Sequence, residues 1–395
     1  MQRGSTGLVA STLLLCLLML VFDLAPSSAL DLGEWVPGLK LSPFLSERVE
    51  YETNVFQTPS HAKDDVIFRT IPGFVIDYTF GAHSLSAGYR AEILKFVDLS
   101  DQDTVHHIAA GQLRLDFPRL LLNLKDDFTR TSDPPGTELT GRIKSTTNVL
   151  KPEAEYRLTE RFSTGLNYTW TRVRFDDDFI ADLIDRDEHL IGASVFWKFR
   201  PKADLGLAYE YGWVDFTEAT DRNFVRHQVL AQLRGDLTAK LSSTLRAGVE
   251  IRVPDNSSQE GFTGLIFGGD LTYRPTERTN ITLSVDRSTQ ESTFVTTPFY
   301  VTTNATLLAQ HQILPKLTIS GRIGGGVNDY STKQTVDGKT DWRRDSFLAA
   351  GAQLEYAVQP WLRLGLEYLR TFRDSNFSTF SFVDDKITGR VTLQF

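Results

Sequence analysis

From residue 39 to the end of the chain, apolar and polar residues alternate with a period of two in one segment after another. The closing segment is the clearest. Ile387, Gly389, Val391, Leu393 and Phe395 share one parity; Lys386, Thr388, Arg390, Thr392 and Gln394 share the other. Successive side chains of a strand point to opposite faces, so this is a strand with one apolar and one polar face. The pattern recurs with Phe68, Phe74, Ile76, Tyr78 and Phe80 set against Arg69 and Asp77. It recurs again with Leu205, Leu207, Tyr209, Tyr211 and Trp213, and with Leu362, Leu364, Leu366 and Tyr368. About eighteen such segments follow one another, a count of 16–18 being consistent with the pattern. Each is long enough for the ~9–11 residues with which a tilted strand crosses a bilayer.

The connections alternate in length. Short ones fall near residues 81, 118, 159, 201, 239, 276, 315 and 360; longer polar ones span 131–142, 176–187, 254–260, 331–345 and 374–385. Short periplasmic turns, longer extracellular loops and an even number of strands mark an all-β, transmembrane, antiparallel up-and-down β-barrel. An even count places both chain ends on the periplasmic side. A soluble sandwich of this many long hairpins would leave several open edges to protect. After residue 30 no stretch approaches the ~18 apolar residues of a membrane helix, but that test misses barrels, half of whose strand residues face a polar lumen.

Residues 1–29 read as a secretory signal peptide: Arg3 gives the positive start, 13–22 the apolar run, and Ser27-Ser28-Ala29 the small residues of a cleavage site. Residues 30–38 make a short periplasmic segment, too small for a plug domain, and 39–395 a single barrel domain. The only cysteine, Cys16, lies in the leader, so the mature chain carries no disulfide or zinc–cysteine chemistry. A net charge of -8 without a Lys/Arg-rich run excludes nucleic acid as a partner. The expected location is the outer membrane of a Gram-negative bacterium, among its lipids and lipopolysaccharide. The final strand resembles the terminal strand of outer-membrane barrels, which commonly ends in Phe, and this implies recognition by the barrel-assembly machinery.

Phe80, Phe117, Tyr156, Phe162, Trp197, Phe199, Tyr273, Tyr356 and Phe395 have outward parity and lie near a short turn or the chain end, as an aromatic girdle at a membrane interface would. Phe68, Phe128, Trp170, Trp213 and Tyr368 supply a girdle at the opposite end. The inward parity carries mixed charge. Its candidate pore-lining residues are Arg90, Glu92, Arg114, Lys125, Glu153, Glu155, Arg226 and Arg234, then Arg246, Glu250, Arg252, Arg322, Glu355, Arg363, Glu367 and Arg390. Two readings stay open: a cross-strand ion-pair lattice that stiffens the wall, or a permeation path in which Arg246, Arg252 and Arg322 set ion selectivity. Parity also predicts that a charge at Leu207 meets lipid and one at Ala208 meets the lumen.

Nothing in the chain suggests catalysis. There is no HExxH helix, nucleophile elbow or Walker loop. His107, His189 and His227 have outward parity, with no Ser/His/acid set recognisable by spacing. The acidic loop Asp176-Asp177-Asp178 with Asp182, Asp185 and Asp187 lacks the spacing of an EF-hand and reads as solvated. No cofactor or metal site is expected.

The first hairpin is more specific. Tyr51-Glu52-Thr53-Asn54-Val55-Phe56 closes a strand, and Asp65-Val66-Ile67 and Pro72-Gly73 follow. This resembles the β-barrel porins linked to exopolysaccharide or exosortase systems of Gram-negative bacteria. The resemblance implies a barrel without catalytic residues and polysaccharide as a possible cargo or partner. Asn54 suits the turn out of the strand, and Pro72 an irregularity in the ladder. Two functions remain: a passive outer-membrane channel serving export, or a closed docking barrel that recruits envelope partners. No connection is long enough to predict a large folded-in constriction, which favours a wide lumen.

Overall fold

Inside a bilayer every backbone amide must find a partner within the protein, and a sheet of strands can do so only by closing on itself. A computed structural model shows how this chain closes; it describes residues 30–134, 141–294 and 297–395, so the signal-peptide assignment lies outside the described residues. A two-residue strand, β1 (Leu30–Asp31), folds back on the start of β2 (Leu39–Glu52). Then come β3 (Asp65–Phe80), β4 (His83–Phe96), β5 (Thr104–Asp116), β6 (Leu120–Thr131), β7 (Ser145–Arg157), β8 (Phe162–Phe175), β9 (Arg186–Arg200) and β10 (Ala203–Phe216). They are followed by β11 (Phe224–Asp236), β12 (Leu241–Pro254), β13 (Phe262–Thr276), β14 (Thr279–Glu291), β15 (Phe299–Leu314), β16 (Leu317–Val336), β17 (Lys339–Gln359), β18 (Leu362–Ser375) and β19 (Phe382–Gln394). From β2 onward each strand pairs antiparallel with the next, and β19 pairs with β2, from Lys386↔Glu52 to Gln394↔Phe44. The result is a closed barrel of eighteen strands, β2–β19.

One end carries turns of two to four residues between strands, such as 81–82, 201–202 and 360–361. The other carries the long loops, with one exception. The segment 331–345, expected as a polar loop, continues the ladder instead: β16 and β17 run on to a two-residue turn at Asp337-Gly338. Both turn residues have positive φ, +53° and +78°, the left-handed pair that suits the twist of a tight hairpin. The acidic loop after β8 also departs from expectation. It holds a short helix, α1 (Asp178–Ile184), capped by the Asp177 carboxylate accepting from the Ile180 N–H.

The outer face is apolar. Leu166, Ile191, Val229, Leu265 and Leu366 are exposed there, as lipid-facing residues must be. Several polar groups on this face are paired: Tyr89, Tyr168 and Tyr209 each put a hydroxyl 2.7–2.8 Å from Nδ1 of His107, His189 and His227. Those three histidines are occupied in this way. Thr70 donates to Glu47 at 2.7 Å on the same face. Phe117, Tyr156, Phe162, Trp197, Tyr273 and Tyr356 are exposed on the outer face near the short turns, and Tyr78 stacks on Phe80.

Buried apolar residues instead cluster on the inside. Val55, Ile67, Leu94 and Phe96 form one group and Val214, Phe216 and Phe224 another, both near the long-loop end. Ala208, Leu230 and Ile266 form a third, covered by Phe262. Ala208 therefore faces inward but is packed, and an arginine there would meet side chains rather than lumen water.

The first-hairpin motif builds this end. Asn54 is buried; its side chain donates to the carbonyls of Thr58 and Val383 and accepts from the Thr58 N–H. Asp65 accepts from the backbone N–H groups of Val97, Asp98 and Leu99, tying the first loop to the next. At Pro72 the β3–β4 ladder breaks between Thr70↔Ile93 and Gly73↔Arg90 with no inserted residue, because proline has no N–H to give.

Candidate permeation path

Period-two strands send every second side chain inward, so the wall of the lumen is set by register. All the candidate pore-lining residues lie on the inward face. Arg114 pairs with Asp116 at 3.1 Å, Arg390 reaches Glu355 at 2.9 Å, and Glu153 accepts from Asn123 at 2.9 Å. Arg226 lies 3.9 Å from Glu188. Lys125, Arg246, Arg322, Arg363 and Glu367 have no ion-pair partner within the described residues. Glu250 and Arg252 are different. Glu250 is sealed by Gln228 and Thr289, and Arg252 by Glu291 at 2.6 Å and by the Phe224 and Phe299 rings. Thr289 and Glu291 of β14 and Phe299 of β15 cover them, so Arg252 cannot meet a passing ion as Arg246 and Arg322 can.

Two charge networks shape the lumen. In the first, Arg234 of β11 makes a bidentate pair with Glu155 of β7, at 2.7 and 2.9 Å, and also reaches Asp204 at 3.1 Å. Its guanidinium lies 3.6 Å from the Phe196 ring centre. Three strands separate β7 from β11, so a side-chain pair can join them only where the wall bends sharply. Gly206 makes room: a Cβ there would stand 2.6 Å from the Phe196 ring.

The second network was not legible in the strand pattern. The described residues on either side of the loop after β6, 132–134 and 141–144, bring Asp133 and Arg142 to the inner wall. Arg69 of β3 binds Asp133. Its Nη1 donates to Glu92 at 2.7 Å and lies 3.3 Å from Asp133, and its Nε is 3.1 Å from Glu50. Arg142 holds Asp133 from the other side at 2.8 Å, with its guanidinium 5.0 Å from the Phe96 ring. Arg90 also donates to Glu92, at 2.9 Å. His106 is buried beneath; its Nε2 accepts from the Ser132 N–H at 3.0 Å, which leaves the proton on Nδ1, on the side of Glu92 and Asp133.

Burial would raise the Asp133 carboxyl, but the Arg69 and Arg142 guanidinium groups and His106 outweigh it and hold it at about 2. A carboxyl held lower in the folded barrel than its usual value near 4 contributes stability above that value and loses it as pH falls toward 2. The latch should therefore hold from pH 7 to pH 4. Single-channel conductance should stay flat over that range and rise only below about pH 3; a rise already at pH 5 would refute the latch.

The long-loop end is tied together as well. Arg222 donates to the carbonyls of Leu183, Ser292 and Pro298, joining three loops. Arg343 is fully buried, paired to Asp345 at 2.6 Å and boxed by Phe380 and Tyr330. Among the described residues no group of three His, Cys, Asp or Glu gathers to hold a metal.

A family model described as "Putative beta-barrel porin 2" matches residues 32–395. The chain belongs to this family. It is a porin-like β-barrel channel of the Gram-negative outer membrane, not an enzyme. No curated protein matches this porin. Among solved structures, the outer-membrane protein OpdK of Pseudomonas aeruginosa is similar at 12% identity, covering 90% of this chain and 99% of its own, with a TM-score of 0.46. OccK2 (OpdF) of the same organism is similar at 11% identity, covering 90% and 97%, with a TM-score of 0.49. OccAB3 of Acinetobacter baumannii is similar at 9% identity, covering 91% and 100%, with a TM-score of 0.48. Likenesses this distant do not bear on what this porin carries.

Strand parity and pairing also place residues in the site that the pattern alone left out: Arg48, Glu50, Glu52, Arg69 and Lys386 on the wall, and Asp133 and Arg142 in the loop after β6. The alternation of Ser46, Arg48, Glu50 and Glu52 against Val49 and Tyr51 carried the signal for the first strand. Nothing periodic marks the loop.

Proposed function

We propose that the barrel is a passive diffusion channel for polar solutes, with saccharide chains among its cargo, and that Asp133 and Arg142, held on the inner wall by Arg69, narrow its path. The observation that carries this reading is the width of the wall. Eighteen strands tilted as in other membrane barrels give a backbone radius of roughly 18 Å if circular. That is more than twice the length of an arginine side chain. Side chains of that length, projecting from the wall alone, would line a lumen of this radius without filling it. Polysaccharide export rests on the first-hairpin resemblance and on a wall rich in amides, carboxylates and guanidinium groups, which chains of hydroxyls slide past with many weak contacts.

The docking reading draws on the loops tied by Arg222 and Arg343, which could close one end. Planar-bilayer recording separates the two. The double variant Arg246→Gln/Arg322→Gln should shift selectivity toward cations with folding preserved, because these two cations carry no ion pair among the described residues and set the local potential. Transient block by neutral oligosaccharide is expected for an exporter. Well-folded protein without conductance above background would leave the docking barrel; conductance without block would leave a small-solute porin.

Insertion by the barrel-assembly machinery, with β19 as the strand it reads, and lipopolysaccharide around the outer wall belong to the same proposal. Phe395 donates its N–H to the Pro43 carbonyl at 3.0 Å, at the end of the closing seam. Its removal should lower the amount of heat-modifiable barrel in cells well below wild type while refolding in detergent persists. Equal cellular levels would count against it.

A further inference from the structure

A cavity of about 230 Å³ opens on the inner wall where β17, β18, β19, β2 and β3 lie side by side. Four cations reach it: Arg48, Arg69, Lys386 and Arg390. Three are already neutralised by the protein. Arg69 has Glu50, Glu92 and Asp133; Lys386 has Glu52 at 3.0 Å; Arg390 has Glu355 at 2.9 Å, lying over Gly365, where a Cβ would stand 3.1 Å from its Nε. Among the described residues Arg48 has no carboxylate within 4 Å, and its Nε is buried with no hydrogen-bond partner. A guanidinium in that state costs free energy unless something fills its fork.

We propose that Arg48 is the anchor of a carboxylate subsite that takes one small, hydroxylated monoanionic solute. This rests on the channel reading only for how the solute arrives. The planar fork of arginine matches a carboxylate in two parallel hydrogen bonds. A dianion is disfavoured because Glu50, Asp133 and Glu367 border the same cavity. Those carboxylates, with Gln353 and Thr388 beside them, suit hydroxyl donors on the rest of the solute. The volume falls below the roughly 300–1,000 Å³ of pockets for drug-sized ligands, so the site holds a group about the size of one sugar unit.

Gluconate is the probe, and equilibrium titration of the full refolded barrel in detergent is the measurement. Wild type should bind gluconate saturably and bind gluconamide, the same chain without the charge, at least tenfold more weakly. Arg48→Gln should lose at least tenfold in gluconate affinity. Arg161→Gln, which removes one positive charge at a short turn, should not. Equal binding of gluconate and gluconamide by wild type overturns the proposal without needing any variant to fold. So does undiminished gluconate binding by a folded Arg48→Gln barrel. A barrel that binds gluconate through Arg48 yet conducts no current would sink the channel reading and keep the subsite. One that conducts but binds no gluconate would do the reverse.

Discussion

Arg69→Ala should lower the stability of the barrel by about 3–5 kcal/mol and raise its conductance at the same time. One guanidinium neutralises Glu50, Glu92 and Asp133, and both it and the two wall glutamates are buried. Deleting one partner of a buried charge pair strands the others without solvent, and this is the expensive way to break such a pair. Water entry and release of Asp133 from the wall would relieve part of the cost. That relief is why the electrical readout should move together with the thermal one. Heat-modifiability on gels gives the shift in melting, and planar-bilayer recording gives the conductance. A variant with unchanged melting would mean that the carboxylates are solvated and the cluster is not a latch. A destabilised variant with unchanged conductance would mean that Asp133 and Arg142 do not narrow the path. Arg69→Lys keeps a charge but loses the fork that meets several carboxylates at once, and should fall between the two.

Leu307→Arg should cost roughly 2–4 kcal/mol in refolding experiments, the figure for a cation on the lipid face near the bilayer midplane, whereas Leu308→Arg should cost close to nothing. The two residues are adjacent on β15, chemically identical and each 42% exposed. They differ only in face. Leu307 pairs with Leu283 and Ile323 among lipid-facing neighbours; Leu308 pairs with Thr282 and Arg322 on the wall of the lumen. Propensity, size and exposure therefore cancel, and the difference isolates lipid against water. Equal penalties would place β15 in the wrong register or the barrel outside a bilayer. The pair Leu207 and Ala208 cannot serve, although parity separates them too, because Ala208 packs against Leu230 and Ile266.

That failure marks where reading the sequence stops. A period of two tells which face a residue is on, and for this chain it located the eighteen strands and the short turns. It does not say what stands opposite on the inside. Arg252 and Arg246 are indistinguishable by parity, yet one is sealed with Glu291 and the other lines the lumen. That difference comes from the contacts that Glu291 and Phe299 make with Arg252 across the inner wall, which leave no periodic trace. The role of Asp133 was invisible for a related reason: it is one acid among many until Arg69 is brought to it from β3 and Arg142 from the far end of its own loop. The hairpin at Asp337-Gly338 was legible in principle, since Asp-Gly between alternating residues is a tight-turn signal, but the polar residues around it read as loop. The first-hairpin motif pointed to the right family. Its residues Asn54 and Asp65 turn out to knit loops together; neither lines the candidate path.

The seam between β2 and β19 is the one strand pairing that is not local. Every other pairing joins neighbours in sequence, whereas Ser46 and Thr392 hydrogen-bond across 346 residues. Closing so long a loop adds little to the equilibrium cost, since chain entropy grows only with the logarithm of its length. The consequence is one of timing. Seventeen hairpin pairings can form early, but the two edge strands stay unpaired until the ends meet, and an unpaired edge is a template for any other chain nearby. Before closure, the apolar outer face is exposed to water along with those edges. Folding yield should thus fall with chain concentration more steeply than for a soluble sheet of equal stability. A cell making this barrel has to keep each copy apart from the next during the interval between synthesis and closure.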